Sequence, residues 1–201
     1  MENNLENLRT EELPESNQPP SNGRPAWITF LTETLQTIIL AIVLYFLIDS
    51  VIARVRVENI SMLPTLQPGE FIIVNKMAYK LGEIKGGDIV VFHFPQDPRE
   101  DYIKRVIGVP GDTITVENGK VLVNNRPLTE PYISAPPQYT GTWTVPEDKL
   151  FVLGDNRNQS SDSHSWGFVP LENLVGKALV IYWPLDQFKI LSQPLIVSAA
   201  N

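Results

Sequence analysis

Three short segments of the sequence carry side chains able to perform chemistry. The first reads S-M-L-P-T-L at 61–66, and its Ser61 offers a hydroxyl nucleophile. A serine hydroxyl attacks a carbonyl group efficiently only when a neighbouring base removes its proton. If Ser61 is catalytic, the sequence must therefore supply that base elsewhere.

The second segment reads Y-I-K-R-V-I-G-V-P-G-D at 102–112 and places Lys104 among apolar residues. One interpretation is a charge that protects the edge of a sheet from aggregation. The other is a buried amine, whose pKa falls because desolvation disfavours the ammonium form. A lysine of lowered pKa is able to act as a general base near neutral pH.

The third segment, G-D-N-R-N-Q-S-S-D-S-H-S-W-G at 154–167, is longer than a polar turn requires. It contains Asp162, His164 and several serines, so a Ser-His-Asp triad is one alternative. We disfavour it. Residues two apart on a strand point the same way, but that alone does not orient an imidazole between a carboxylate and a hydroxyl.

Composition excludes several other kinds of site. The chain of 201 residues has no cysteine, which excludes disulfides and thiolate chemistry. Its two histidines, His93 and His164, show no metal-binding spacing, so we expect no metal and no cofactor. The net charge is −7 and no basic patch is visible, so nucleic acid is not an expected partner.

The N-terminal part of the chain divides into two segments. Residues 1–25 are polar and acidic, which predicts a disordered tail. Residues 26–53 include about 20 predominantly apolar positions, which matches the length needed to cross a bilayer as a helix. A buried core helix and a cleavable secretory signal are alternatives. A core helix is rarely apolar on every face. A secretory signal normally follows a short basic region, whereas the segment 1–25 is long and acidic.

Residues 54–201 are predicted to form a β-rich domain. The predicted strands are short, β-branched and aromatic, and they cover 71–74, 88–92, 102–109, 113–116, 121–123, 150–153 and 178–183. Asn118-Gly119 predicts a tight hairpin turn. Residues 131–146 contain four prolines and are predicted to be an extended loop. No long helical period follows the apolar segment, so we expect a mostly antiparallel β fold.

The order of these parts resembles that of the type I signal peptidases, which are membrane-bound Ser/Lys serine proteases. The resemblance extends from the apolar segment to about residue 183. It rests on S-M-L-P-T-L, G-D-I-V-V-F at 87–92, Y-I-K-R-V-I-G-V-P-G-D, and G-D-N-R-N-Q-S-S-D-S. Each motif alone is only suggestive, but the four in this order are highly specific.

The resemblance implies a role for each matching residue. Ser61 would attack the scissile carbonyl, its backbone N–H would bind the oxyanion, and Lys104 would be the general base of an acyl-enzyme mechanism. The other implied roles are orientation of the lysine by Ser160, support of the site by Asp162, an ion pair between Arg105 and Asp155, and a small substrate pocket lined by Met62, Leu66, Tyr102 and Ile103.

Two positions depart from the pattern of the family. Asn59 stands two residues before the nucleophile, where well-studied bacterial relatives have a Ser or Thr whose hydroxyl completes the oxyanion hole. An Asn amide also donates hydrogen bonds, although its reach differs. His164 stands two residues after Asp162, where Arg is usual. A contact between Asp162 and His164 would be weaker when the imidazole is neutral.

The resemblance also implies a location and a set of partners. The substrates would be secreted precursors carrying signal peptides, and the enzyme would be a single-pass protein of the cell membrane, or of a thylakoid membrane, in contact with lipid. Precursors are cut on the translocated side, so we expect residues 54–201 outside the cytoplasm. Charge weakly opposes this orientation, because Arg24 precedes the apolar segment whereas Arg54 and Arg56 follow it.

Two rival functions are disfavoured by the sequence, because serine, lysine and the third motif occur together and an apolar span occupies the N-terminal part. A self-cleaving repressor with a similar Ser/Lys β-domain would need a DNA-binding domain, in place of which this N-terminus offers an apolar span. A non-catalytic, membrane-tethered β-domain that binds a partner would not need Lys104. Incubating the purified protein with a labelled precursor discriminates all three functions.

Overall fold

The fold is described from a computed structural model, which covers residues 25–191 and 196–197. The predicted disordered tail at 1–25 lies outside the described residues, apart from Pro25. The chain divides into two units, residues 1–44 and residues 45–201.

The apolar segment forms helix α1, Ala26–Val51. Its 26 residues correspond to ~39 Å of helix, which is enough to cross a bilayer. None of its most apolar part is buried against other residues. The helix ends two residues earlier than the sequence predicted, because Ile52 and Ala53 belong to the first β-strand.

Thirteen strands and two short helices follow α1 among the described residues. The strands are β1 Ile52–Arg56, β2 Phe71–Asn75, β3 Ile89–Phe94, β4 Asp97–Gly108, β5 Thr113–Glu117, β6 Lys120–Val123, β7 Arg126–Thr129, β8 Gly141–Thr144, β9 Lys149–Leu153, β10 Val169–Pro170, β11 Leu174–Trp183, β12 Lys189–Ile190 and β13 Ile196–Val197. Helix α2 covers Ala78–Leu81 and helix α3 covers Ser163–Trp166.

The strands form two sheets, and every pair is antiparallel, as expected. The first sheet has eight strands in the order β1-β2-β11-β3-β4-β9-β10, with β12 beside β11. The second has five strands in the order β13-β7-β6-β5-β8. The predicted mostly antiparallel β fold is therefore confirmed.

Alternation along β9 explains how the core is divided. Leu150 and Val152 belong to one buried apolar cluster, whereas Phe151 and Leu153 belong to another that includes residues of the second sheet. Successive side chains of a strand point to opposite faces. This strand is therefore buried on both faces, which is why its sequence is continuously apolar instead of alternating.

The predicted loop at 131–146 is partly wrong. Residues Gly141–Thr144 form β8, which pairs with β5 at the edge of the second sheet. Four residues between prolines give too short a pattern to identify from the sequence, and pairing with β5 decides their conformation.

The hairpin between β5 and β6 forms as its turn residues predict. Asn118 and Gly119 have φ angles of 49° and 73°, and Glu117 pairs with Lys120. Both central residues of such a turn need positive φ, which an L side chain resists. A Cβ added at Gly119 would also lie 3.2 Å from Cβ of Pro136.

We expect Gly119→Ala to lower the free energy of unfolding by about 1 kcal/mol or more, because alanine is strained at positive φ. Denaturant titration of the detergent-solubilised chain measures this change. Lys120→Ala, an exposed substitution beside the same turn, is the matched control and is expected to change stability little. Equal stability of the two variants would contradict the argument.

Candidate active site

The nucleophile candidate lies on a short 3-10 turn, Ile60–Met62, that follows β1. Met62 and Leu66 are 1% and 0% exposed, and both belong to one buried apolar cluster that also contains residues of β2 and β11. These two side chains hold the segment against the sheet. Ser61, which precedes Met62, is only partly buried and borders a cleft.

Lys104 reaches this serine from β4, 43 residues along the chain. Its Nζ lies 2.8 Å from Oγ of Ser61 and 3.1 Å from the backbone oxygen of Ile103. The lysine is 4% exposed, although its strand neighbours at the start of β4 are open to solvent. Its amine is therefore buried and in hydrogen-bond contact with the candidate nucleophile.

Burial lowers the pKa of Lys104 to about 8, because an ammonium group loses its hydration there. The negative charges of Asp162 and Asp155 act in the opposite direction and moderate the decrease. A substantial fraction of the lysine is therefore neutral in weakly alkaline solution. The neutral amine can accept the proton of Ser61, which the ammonium form cannot do.

Arg105, the next residue of β4, points to the opposite face and forms a buried ion pair with Asp155. Its Nε and Nη2 donate to the two carboxylate oxygens at 2.8 and 2.7 Å, and both side chains are 0% exposed. The Thr65 hydroxyl donates to the same carboxylate, and Arg105 Nη1 donates to the Gly87 carbonyl at 3.1 Å. This is the contact that the sequence analysis predicted.

A second buried ion pair lies beside the first. Arg157 donates from both terminal nitrogens to Glu130, with distances of 2.9 and 2.6 Å, and its Nε donates to the Gly154 carbonyl. The ring of Tyr132 lies 3.9 Å from the guanidinium carbon of Arg105 and 5.9 Å from that of Arg157. Sequence reasoning missed Glu130 and Tyr132, because they lie at the start of the proline-rich segment or just before it, without any recognisable spacing to the motifs.

Asp162 connects other residues of the third motif through its two carboxylate oxygens. One carboxylate oxygen accepts the Gly154 N–H at 2.9 Å, and the other lies 2.6 Å from Nδ1 of His164. The imidazole stacks on Tyr139 with a centroid distance of 3.9 Å. No serine hydroxyl among the described residues is hydrogen-bonded to His164, so the contacts of the disfavoured triad are not formed in that part of the chain.

Ser160, within this motif, is half-buried, and its buried Oγ has no hydrogen-bond partner in the described part of the chain. The structure therefore does not form the expected bond between Ser160 and Lys104. The Ser160 hydroxyl does lie against Gly154, where an added Cβ would collide with it and with the carbonyl oxygen of Ser61. Only glycine at 154 allows these groups to approach so closely.

The dyad opens onto a cleft of about 700 Å³. The cleft lies between the segment 55–62 and residues 99–104 of β4, with Gln159 and Ser161 also in its wall. Met62, Tyr102, Ile103 and Asn59 contribute to this lining. Leu66 is not among the lining residues, because it is fully buried in the apolar cluster. Its expected place in the substrate pocket stays a prediction.

Comparisons with known proteins agree with this arrangement. Residues 31–183 match the family model described as signal peptidase, peptidase S26. The chain belongs to this family. A signal peptidase I of Leptolyngbya laminosa is 44% identical over 184 residues, which cover 87% of this chain and 91% of that protein. A probable signal peptidase I-2 of Synechocystis is 41% identical, with coverage of 93% and 86%.

A relative from a third organism gives a similar result. A signal peptidase I of Bacillus caldolyticus is 44% identical over 147 residues, which cover 66% of this chain and 80% of that protein. As a member of the peptidase S26 family, the chain is a serine peptidase. The resemblance stated from the four motifs is thereby confirmed.

We expect Arg105→Met to lower the free energy of unfolding by about 3–5 kcal/mol, because it leaves the Asp155 carboxylate buried and unpaired. Denaturant titration of the detergent-solubilised chain tests this. Arg54→Met is the matched control, because Arg54 is exposed and has no ion pair with a described residue. A similar small effect at both arginines would show that the buried pair is not important for stability.

Proposed function

We propose that the chain removes N-terminal signal peptides from secreted precursor proteins through an acyl-enzyme, with Ser61 as nucleophile and Lys104 as general base. The observation that carries this proposal is the 2.8 Å contact between the Lys104 amine and the Ser61 hydroxyl at the wall of an open cleft. The names of the relatives supply the substrate class, since those proteins are called signal peptidases.

Acylation follows from the two groups in contact. Neutral Lys104 accepts the Ser61 proton while Oγ bonds to the scissile carbonyl carbon, and the carbonyl electron pair moves to oxygen. The Ser61 N–H donates a hydrogen bond to that oxyanion. When the oxyanion collapses, the C–N bond breaks, and the lysine ammonium gives its proton to the departing amine. The products are a Ser61 ester and a free mature N-terminus.

Deacylation repeats these transfers with water. Lys104 takes a proton from a water molecule, whose oxygen attacks the ester carbon. Collapse of the second oxyanion breaks the bond to Oγ of Ser61, and the lysine returns the proton to that oxygen. The signal peptide leaves with a free carboxylate, and the dyad recovers its starting protonation state.

The remaining site residues have roles around this dyad. The Ser160 hydroxyl is buried and has no partner among the described residues, so it is available to orient the lysine amine. Asn59 donates a second hydrogen bond to the oxyanion, since its exposed side chain borders the cleft and has no hydrogen bond to the described residues. Met62, Tyr102 and Ile103 form the pocket for the small residue beside the cut.

The proposed function also assigns the membrane topology. Helix α1 is long and apolar enough to anchor the chain, so the enzyme meets the apolar part of its substrate in the bilayer. Residues 54–201 lie on the non-cytoplasmic side, where precursors emerge. Two relatives come from cyanobacteria, so the cell membrane and the thylakoid membrane are both suitable locations.

The pH dependence of cleavage tests the lysine base. We expect kcat/KM to rise about tenfold per pH unit below pH 8 and to level off above it, because the base is active only when Lys104 has lost its proton. At pH 7 only about a tenth of the lysine is neutral if its pKa is about 8. A profile governed by a group with a pKa above 10 would contradict burial as the source of the base.

Variants of the serine, the lysine and the histidine distinguish the Ser/Lys dyad from a histidine mechanism. Ser61→Ala and Lys104→Ala should each lower kcat by about 10⁴-fold or more. Lys104→Arg should fail as well, because guanidinium stays protonated. His164→Ala should retain substantial turnover, and Lys120→Ala, at an exposed lysine, serves as a control. An inactive histidine variant beside an active Lys104→Ala would favour a triad instead.

Topology is tested by protease protection. Protease added outside intact cells or spheroplasts should digest the β-rich domain and leave residues 1–25 intact, because the proposed substrate is cut on the translocated side. Lysis should expose both parts to digestion. The reverse pattern in intact cells would favour the orientation that the arginines around the apolar segment suggest.

A further inference from the structure

Asn156 contacts the nucleophile turn with both its backbone and its side chain. Its N–H donates to the carbonyl oxygen of Ser61 at 3.0 Å. Its Nδ2 donates to the carbonyl oxygen of Ile60 at 3.1 Å and to Oε1 of Gln159 at 3.1 Å. The two carbonyl groups belong to the peptide groups on either side of the Ser61 Cα. Residue 156 therefore holds both peptide groups that flank the nucleophile, and at the Ile60 carbonyl it adds to the bond donated by the Leu63 N–H at 3.1 Å.

The bond to Ile60 has a direct consequence for the oxyanion. The Ile60 carbonyl and the Ser61 N–H belong to one peptide group, which is planar. A hydrogen bond accepted by the carbonyl therefore sets the direction of that N–H. It also polarises the peptide, because hydrogen bonds in a chain strengthen one another. The same N–H is the oxyanion donor of the proposed mechanism.

We infer that Asn156 is a positioning residue for catalysis, which orients and polarises the Ile60–Ser61 peptide so that its N–H binds the oxyanion. This inference rests on the proposed function. Preorganised donors stabilise developing charge because they need no reorganisation during the reaction. The Ser61 N–H is held in this way, whereas the exposed Asn59 side chain has no hydrogen bond to the described residues.

The test compares two asparagines of the same loop. Asn156→Ala removes the side-chain donor, and Asn156→Asp replaces it with an acceptor of nearly the same size. Asn158→Ala and Asn158→Asp are the matched controls. Nδ2 of Asn158 donates to the Pro136 carbonyl at 3.0 Å, and its Oδ1 accepts the Gln138 N–H at 2.9 Å, away from the nucleophile turn.

We expect both Asn156 variants to lower kcat for a precursor peptide by about 10- to 100-fold, with KM changed less than about twofold, because the oxyanion forms only along the reaction. A peptide aldehyde of the same sequence should bind more weakly by a similar factor, since its hemiacetal oxygen occupies the oxyanion position. The kinetic pKa of the base should stay unchanged in Asn156→Ala, and the thermal unfolding midpoint should stay unchanged in both variants. The Asn158 variants should behave like the parent enzyme.

Three results would overturn the inference. The first is an unchanged kcat in both Asn156 variants. The second is a loss accompanied by an equal loss in the Asn158 variants or by a lower unfolding midpoint, which would indicate a role in folding only. The third is a shifted kinetic pKa with unchanged aldehyde binding, which would place the effect on Lys104. Activity retained by Ser61→Ala would instead refute the proposed function itself.

Discussion

The amine of Lys104 must be desolvated enough to lose its charge and yet lie close enough to Ser61 to accept a proton. Burial in the β-domain meets the first requirement and lowers the pKa to about 8. Asp162 and Asp155 limit this effect, because both carboxylates favour the ammonium form. The pKa of Lys104 therefore depends on two opposing effects, which are desolvation and nearby negative charge. Most other features of the site keep these two effects in place.

The buried ion pair between Arg105 and Asp155 bears on both the position of the Lys104 amine and the charge around it. Because Arg105 follows Lys104 on β4, its bond to the third motif also fixes the strand that carries the base. The ion pair also affects the charge around the lysine, because the Arg105 guanidinium is the immediate partner of Asp155. Asp155 is one of the two carboxylates that favour the ammonium form of Lys104. Thr65 bonds to the same carboxylate, so the nucleophile segment, the base strand and the third motif meet at one charged group.

The nucleophile turn is held at several points, which fits a site that has to be rigid before substrate arrives. Met62 and Leu66 pack into the apolar core, Thr65 bonds to Asp155, and Asn156 bonds to the two peptide groups around Ser61. Preorganisation of this kind matters because donors already aimed at the oxyanion need no reorganisation at the moment of reaction.

The sequence by itself determined the elements and the chemistry. Apolar, β-branched runs and the Asn118-Gly119 turn gave most strands, and the motif order gave the family, because these signals are local. Only the tertiary structure decided that Lys104 is desolvated, that Leu66 is fully buried in the apolar cluster, and that β8 is a strand. These outcomes depend on residues far apart in the chain, such as the 43 positions between Ser61 and Lys104, and no local pattern encodes burial at that range.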